Sequence, residues 1–147
     1  VVNYTTPTAL DNCASGGTTP VTVNQTGLPV AIPDNNPTGV TNTLNVTQFG
    51  PGDLLGGSVT LNSVCFEVQH TWVGDVTLQL RSPNGTVVTL LQRPGRVGTT
   101  GVGCSQNNIN ACVELGVGAD MEAVCNTSIT PATYAISGTF KAHAGAD

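Results

Sequence analysis

The sequence predicts an all-β domain, an antiparallel β-sandwich or jelly roll, and three observations carry the prediction. Only 9% of the 147 residues are charged, against roughly 25% in an average soluble domain. Thr, Asn and Val fill the space, and β-branched residues favour strands, while 18 Gly and 9 Pro punctuate them. Third, short apolar-alternating runs recur between turn signals, and no window shows convincing helical spacing. Strands in series without intervening helices sort into packed sheets. The chain is long enough to bury a core of its own.

Residues 1–19, rich in Thr, Gly and Asn, read as a linker or irregular lead-in, which leaves 20–147 for the sandwich. Strands are expected at Val21–Val23, Leu28–Ile32, Val40–Phe49, Ser58–His70, Asp75–Arg81 and Thr86–Gln92, with weaker ones at Ala111–Leu115 and Tyr134–Lys141. Pro33-Asp34-Asn35-Asn36-Pro37 and Gly50-Pro51-Gly52-Asp53 are the turns before and after the third. In the fourth, Val59 and Leu61 share one parity, whereas Val64, Phe66 and Val68 share the other. A bulge near Asn62-Ser63 would bring both sets to one core. The fifth and sixth form a hairpin: Val76, Leu78 and Leu80 alternate up to Ser82-Pro83-Asn84-Gly85, and Thr86 to Leu91 return.

A net charge of -5 with only four Lys and Arg argues against nucleic acid as a partner, because phosphate binding needs clustered cations. No apolar run approaches the roughly 18 residues of a membrane span. Five cysteines, Cys13, Cys65, Cys104, Cys112 and Cys125, match no zinc spacing and point to an oxidising, extracellular compartment. Cys104 and Cys112 bracket a short polar loop, so a disulfide between them is expected, contributing roughly 2–3 kcal/mol by chain entropy. A second pair among Cys13, Cys65 and Cys125 leaves one thiol over, either for a cysteine outside this segment or as a buried free thiol.

The candidate site is the corner His70-Thr71-Trp72-Val73-Gly74-Asp75, which holds the sole tryptophan. As framework, Trp72 caps one end of the sandwich, Asp75 accepts backbone N–H bonds, and His70 donates to a carbonyl or to Asp75. Gly74 then supplies a backbone geometry that a Cβ forbids. As chemistry, Trp72 would be a sugar-stacking platform or His70 a base. Catalysis finds little support, since the sequence has neither a nucleophile elbow nor a His-Glu-x-x-His zinc motif. Calcium accepts carboxylates and carbonyls, and Asp34, Asp75 and Asp120 sit in oxygen-rich turns, with Glu122 beside the last. A structural calcium ion is therefore expected there, and the competing role of each Asp is to cap its own turn.

The corner and the hairpin together resemble one family. His70-Thr71, then Gly74-Asp75, an alternating strand, Ser82-Pro83 and Gly85-Thr86 are similar to the P domain (Homo B domain) of kexin- and furin-type proprotein convertases. The domain recurs in secreted bacterial proteases. Ile32-Pro33-Asp34-Asn35 resembles its first strand and turn, and Val64 to Thr71 its central strand, so the likeness spans the chain from about Ile32. It implies a galactose-binding-like jelly roll, incomplete here because the family continues with a closing strand pair beyond Asp147. It implies a non-catalytic accessory domain of a secreted or cell-surface subtilisin-like serine endopeptidase. The partner is then the adjacent catalytic domain of the same polypeptide, stabilised by packing. His70, Thr71, Trp72, Gly74, Asp75, Ser82, Pro83, Gly85 and Thr86 would be framework in that setting. The alternative function is a carbohydrate-binding or adhesive module of a cell-surface protein, presenting Trp72 or Tyr134.

Overall fold

A computed structural model describes residues 20–98, 101–114, 116, 118–125, 127 and 133–141. The chain divides into two compact units, Val1–Asp53 and Leu54–Asp147. Cys13 and the expected lead-in 1–19 lie outside the described residues.

Among the described residues of the first unit no strand forms, and local turns organise the chain. The Asn36 side chain accepts from the Thr38 N–H at 3.0 Å and its carbonyl from the Gly39 N–H at 3.0 Å. The Asp53 carboxylate accepts from the Gly50 N–H at 2.7 Å. The strands expected at Val21–Val23, Leu28–Ile32 and Val40–Phe49 are therefore absent there, and Ile32, Val40, Leu44, Val46 and Phe49 stay exposed. Period-two alternation fixes which side chains share a face; it does not supply the ladder partner that a strand's N–H and C=O groups require.

The second unit carries the sandwich. Its strands are β1 (Ser63–Val68), β2 (Thr77–Arg81), β3 (Val87–Gln92), β4 (Ile109–Glu114) and β5 (Ile136–Lys141), with two short 3-10 turns as the only helical segments among the described residues. The first strand begins at Ser63, five residues later than expected. The segment before it is tied up in a turn, where Gly56 donates to the Val59 carbonyl at 2.8 Å and Leu54 to the Ser58 hydroxyl at 3.1 Å. The bulge expected at Asn62-Ser63 is accordingly missing, and Leu61 is exposed.

β2 and β3 form the antiparallel hairpin, with a register shift after Leu78. That bulge explains why the consecutive Leu90 and Leu91 are both buried: one extra residue on β3 turns two neighbours toward the same core. The other sheet has the order β1-β4-β5. β1 and β4 are antiparallel, with Cys65 opposite Cys112 and Glu67 opposite Asn110. β4 and β5 are parallel, Ile109 pairing with Ile136, so the sheet is mixed where a purely antiparallel one was expected. A parallel pair needs a long crossover, and the connection 115–135 provides it. The inward row of this sheet (Val68, Ile109, Ala111, Val113, Ile136 and Phe140) packs with Val76, Leu90, Leu91 and Met121 in one core cluster. Its outward row is polar: Ser63, Glu67, Asn110, Ser137, Thr139 and Lys141.

Candidate functional site: the Trp72 corner

The corner forms as the chain leaves β1 and must reverse into the hairpin. The His70 N–H donates to the Asn108 side chain at 3.1 Å, and the Asn108 N–H returns a bond to the His70 carbonyl at 3.0 Å. Asn108 adopts φ 61, a left-handed conformation that Asn tolerates better than most residues. One 3-10 turn follows at Val73–Asp75, with Asp75 donating to the Trp72 carbonyl at 3.1 Å and Val76 to the Val73 carbonyl at 3.0 Å.

The second wall of the corner is the loop 93–106. Val73 donates to the Gln106 carbonyl and Gly74 to the Cys104 carbonyl, both at 2.9 Å, while Cys104 donates to Pro94 at 2.7 Å. Gly74 is required by this closeness and not by its torsion angles. A Cβ there would lie 2.5 Å from the Cys104 nitrogen and 2.7 Å from the Gly103 carbonyl carbon. Arg93 then fastens the turn from outside: its Nε donates to the Gly74 carbonyl at 3.2 Å, and its guanidinium lies 3.5 Å from the Asp75 carboxylate.

Trp72 is 37% exposed, and its indole N–H donates to the Val102 carbonyl at 2.8 Å. His70 Nδ1 lies 2.8 Å from the Trp72 carbonyl and 3.1 Å from the Trp72 N–H. One nitrogen cannot serve both at once, and the shorter contact favours the tautomer in which Nδ1–H donates to the carbonyl. The His70 and Trp72 side chains thus bind backbone. Asp75 differs from expectation, since its carboxylate pairs with Arg93.

The turn Ser82-Pro83-Asn84-Gly85 closes the hairpin as read from the sequence. Gly85 donates to the Ser82 carbonyl at 2.9 Å with φ 92, the Ser82 hydroxyl bonds the Asn84 side chain, and Asn84 accepts from the Thr86 N–H at 3.2 Å. Asp34 lies in a turn of the first unit next to Asn35 at φ 51. Asp120 caps the 3-10 turn Met121–Ala123, accepting from the Glu122 N–H at 3.0 Å. No group of three or more His, Cys, Asp or Glu able to hold a metal occurs among the described residues.

The disulfide expected between Cys104 and Cys112 is replaced by two others, Cys65–Cys112 and Cys104–Cys125. The reason is direction. Cys112 stands on the outward face of β4, opposite Cys65 at a Cα separation of 4.0 Å. Cys104, 2% exposed, is held inside against Gly74 and Gly95. Closeness in sequence does not bring together two side chains that face opposite ways.

Three participants escaped the sequence reading of the corner. Glu122 accepts from the Gln92 N–H at 2.6 Å through its carboxylate and from the Gly95 N–H at 2.8 Å through its carbonyl, tying the end of β3 to the second 3-10 turn. Gly103 supplies the space opposite Gly74. Asn108 anchors His70. None is near the corner in sequence, and an isolated Glu, Gly or Asn carries no signal of such a partner.

On the polar outer face of the mixed sheet, Tyr134 donates its hydroxyl to Glu67 at 2.8 Å. That bond, then burial and the carboxylate's charge, hold the phenol above its usual value of 10.0. A shallow groove of about 270 Å³ lies nearby, lined by Asn110, Cys112, Ser137, Gly138 and Thr139 among others.

The fold defines a disulfide-braced β-sandwich module. Residues 60–111 match the proprotein convertase P-domain family. The matched stretch contains β1, the Trp72 corner, the hairpin and the first residues of β4, so the P-domain resemblance holds over the segment that builds the site. No curated protein and no solved structure matches the chain. No helix among the described residues is long and apolar enough to cross a membrane.

Proposed function

We propose that this chain is the accessory P domain of a secreted, subtilisin-like serine endopeptidase, packing on the catalytic domain of the same polypeptide and stabilising it. The observation that carries the reading is the P-domain match over 60–111. The corner inside that match supports it, because His70, Trp72 and Gly74 make backbone contacts of the kind a scaffold needs. The two disulfides fit an extracellular setting. Mechanistically, apolar area buried against a neighbour adds free energy only to the neighbour's folded state. The test is to express the parent with and without this segment and to measure the catalytic domain's unfolding midpoint and peptidase activity. Both fall if the reading is right, and unchanged values reject it.

A second reading, a carbohydrate-binding or adhesive module, is favoured by the groove on the outer face, whose side chains Asn110, Ser137 and Thr139 are neutral hydrogen-bonding groups. Tyr134, which the sequence offered for this role, faces Asn110 from one side. Titration with neutral polysaccharides, followed by tyrosine and Trp72 fluorescence, separates the two readings, because the scaffold reading expects no response.

A further inference from the structure

We propose that the Cys65–Cys112 bond is a thiol–disulfide exchange site on the protein surface, opened by an external dithiol that attacks the Cys65 sulfur. The two bridges differ in access. Cys65 is exposed and Cys112 half-buried on the polar face of the mixed sheet, whereas Cys104 is 2% exposed within the core cluster and Cys125 half-buried against it, so only the first bridge has an exposed cysteine. Exchange requires a thiolate to reach one sulfur, and its rate follows access to that sulfur.

The approach must also lie in line with the bond being broken. In the order β1-β4-β5, β1 has a strand neighbour on one side only among the described residues, so the line through Cys112 to Cys65 leaves the sheet over its edge. The opposite line, toward the Cys112 sulfur, crosses β5 where the exposed Thr139 stands in register with Cys112. Cys65 is therefore the sulfur attacked. The incoming thiolate forms a mixed disulfide with Cys65, and Cys112 departs as a thiolate that takes a proton from water. The second thiol of the reagent then attacks the reagent's own sulfur in the mixed disulfide. Cys65 is released as a thiol and the reagent is left oxidised to its cyclic disulfide, two electrons having passed to the protein.

The hydrogen-bonded ladder makes the step reversible in place. Register pairs from Ser63↔Glu114 to Val68↔Ile109 hold both cysteines opposite each other whether or not the sulfurs are joined. Opening the bridge thus leaves the sheet assembled and two thiols poised to close again.

The full chain is treated with increasing dithiothreitol after Cys13 has been replaced (Cys13→Ser), then alkylated and peptide-mapped while far-UV circular dichroism is followed. If that variant fails to fold, the same mapping is done on the unaltered chain with Cys13 blocked beforehand. Cys65 and Cys112 are expected to become alkylated at roughly tenfold less reductant than Cys104 and Cys125, with the β-sheet signal kept. Glutathione, a monothiol, is expected to be trapped on Cys65. Simultaneous opening of both bridges, earlier opening of Cys104–Cys125, loss of the β signal at the first step, or glutathione on Cys112 would each overturn the proposal.

Discussion

Gly74 and Gly103 meet backbone to backbone: a Cβ built on Gly103 would fall 2.7 Å from the Gly74 Cα. This contact sets how closely the 93–106 loop can approach the corner. Gly74→Ala is therefore expected to lower stability by about 1–3 kcal/mol, since backbone atoms cannot swing aside as a side-chain tip would. Gly52→Ala is the control, because nothing lies within 4 Å of its Cβ position, and its effect should stay within roughly 0.5 kcal/mol. Chemical denaturation of the two variants decides, and equal midpoints would mean that the loop yields.

Arg93 and Asp75 form an ion pair, but the two residues are not equivalent. Arg93 is half-buried and Asp75 open to solvent, 35% and 58% exposed, so Asp75→Asn should cost at most about 1 kcal/mol and less in high salt. Arg93→Met also removes the donor to the Gly74 carbonyl, adding roughly 1 kcal/mol that salt does not screen. Urea melts at low and high ionic strength separate the two contributions.

Tyr134 adds a small pH-dependent contribution in the alkaline range. Its proton is shared with Glu67, and ionisation breaks that bond and sets two negative groups together. The folded state holds the phenolic proton more tightly than the unfolded chain, so the stabilisation is complete below about pH 10 and is lost as pH rises through the raised value. Tyr134→Phe should be slightly less stable at neutral pH, with a difference from wild type that shrinks above pH 10. Thermal midpoints of both proteins across pH 8–11 would show it, and a constant difference would exclude the coupling.

The two disulfides close loops of different length. Sequence separations of 47 for Cys65–Cys112 and 21 for Cys104–Cys125 correspond to roughly 4 and 3 kcal/mol of chain entropy. The core position of Cys104 reverses the order: Ala in place of Cys104 and Cys125 also leaves a cavity, at about 24 cal/mol per Å³ unfilled. Replacing this pair should depress the midpoint at least as much as replacing Cys65 and Cys112, as paired double variants in guanidinium would report.

Calcium is tested by melting the domain with calcium and with chelator. Asp120 already caps its own turn, and Asp75 already pairs with Arg93. We therefore expect the midpoint to move by less than the ~4 °C that one kcal/mol would produce. A larger fall on chelation would assign an ion held through carbonyl as well as carboxylate oxygens.

The legible part of this molecule was the local part. Alternation of Val76, Leu78 and Leu80 against a Ser-Pro-Asn-Gly turn specifies a hairpin within a few residues, and the structure has it. At Gly74 the sequence suggested a special backbone geometry, whereas the structure shows a close approach of Gly103 and Cys104, two residues far along the chain. What escaped depended on partners distant in sequence. The partner of Cys112 is set by β1–β4 register and that of Cys104 by burial, and neither is written near the cysteine. The runs at Val21–Val23, Leu28–Ile32 and Val40–Phe49 have strand-like alternation without a ladder, and the pattern does not say where a ladder would come from.

The parallel alignment of β4 with β5 also has a kinetic meaning. Its first residue pair joins Ile109 to Ile136, so the contact cannot form until the whole crossover has been made and has found its way back along the sheet. Distant pairings of this kind slow a search whose local hairpins close in microseconds. During synthesis the flank of β4 that β5 covers stays open until β5 has emerged, and that interval is when a nascent copy is most exposed to sticking to another.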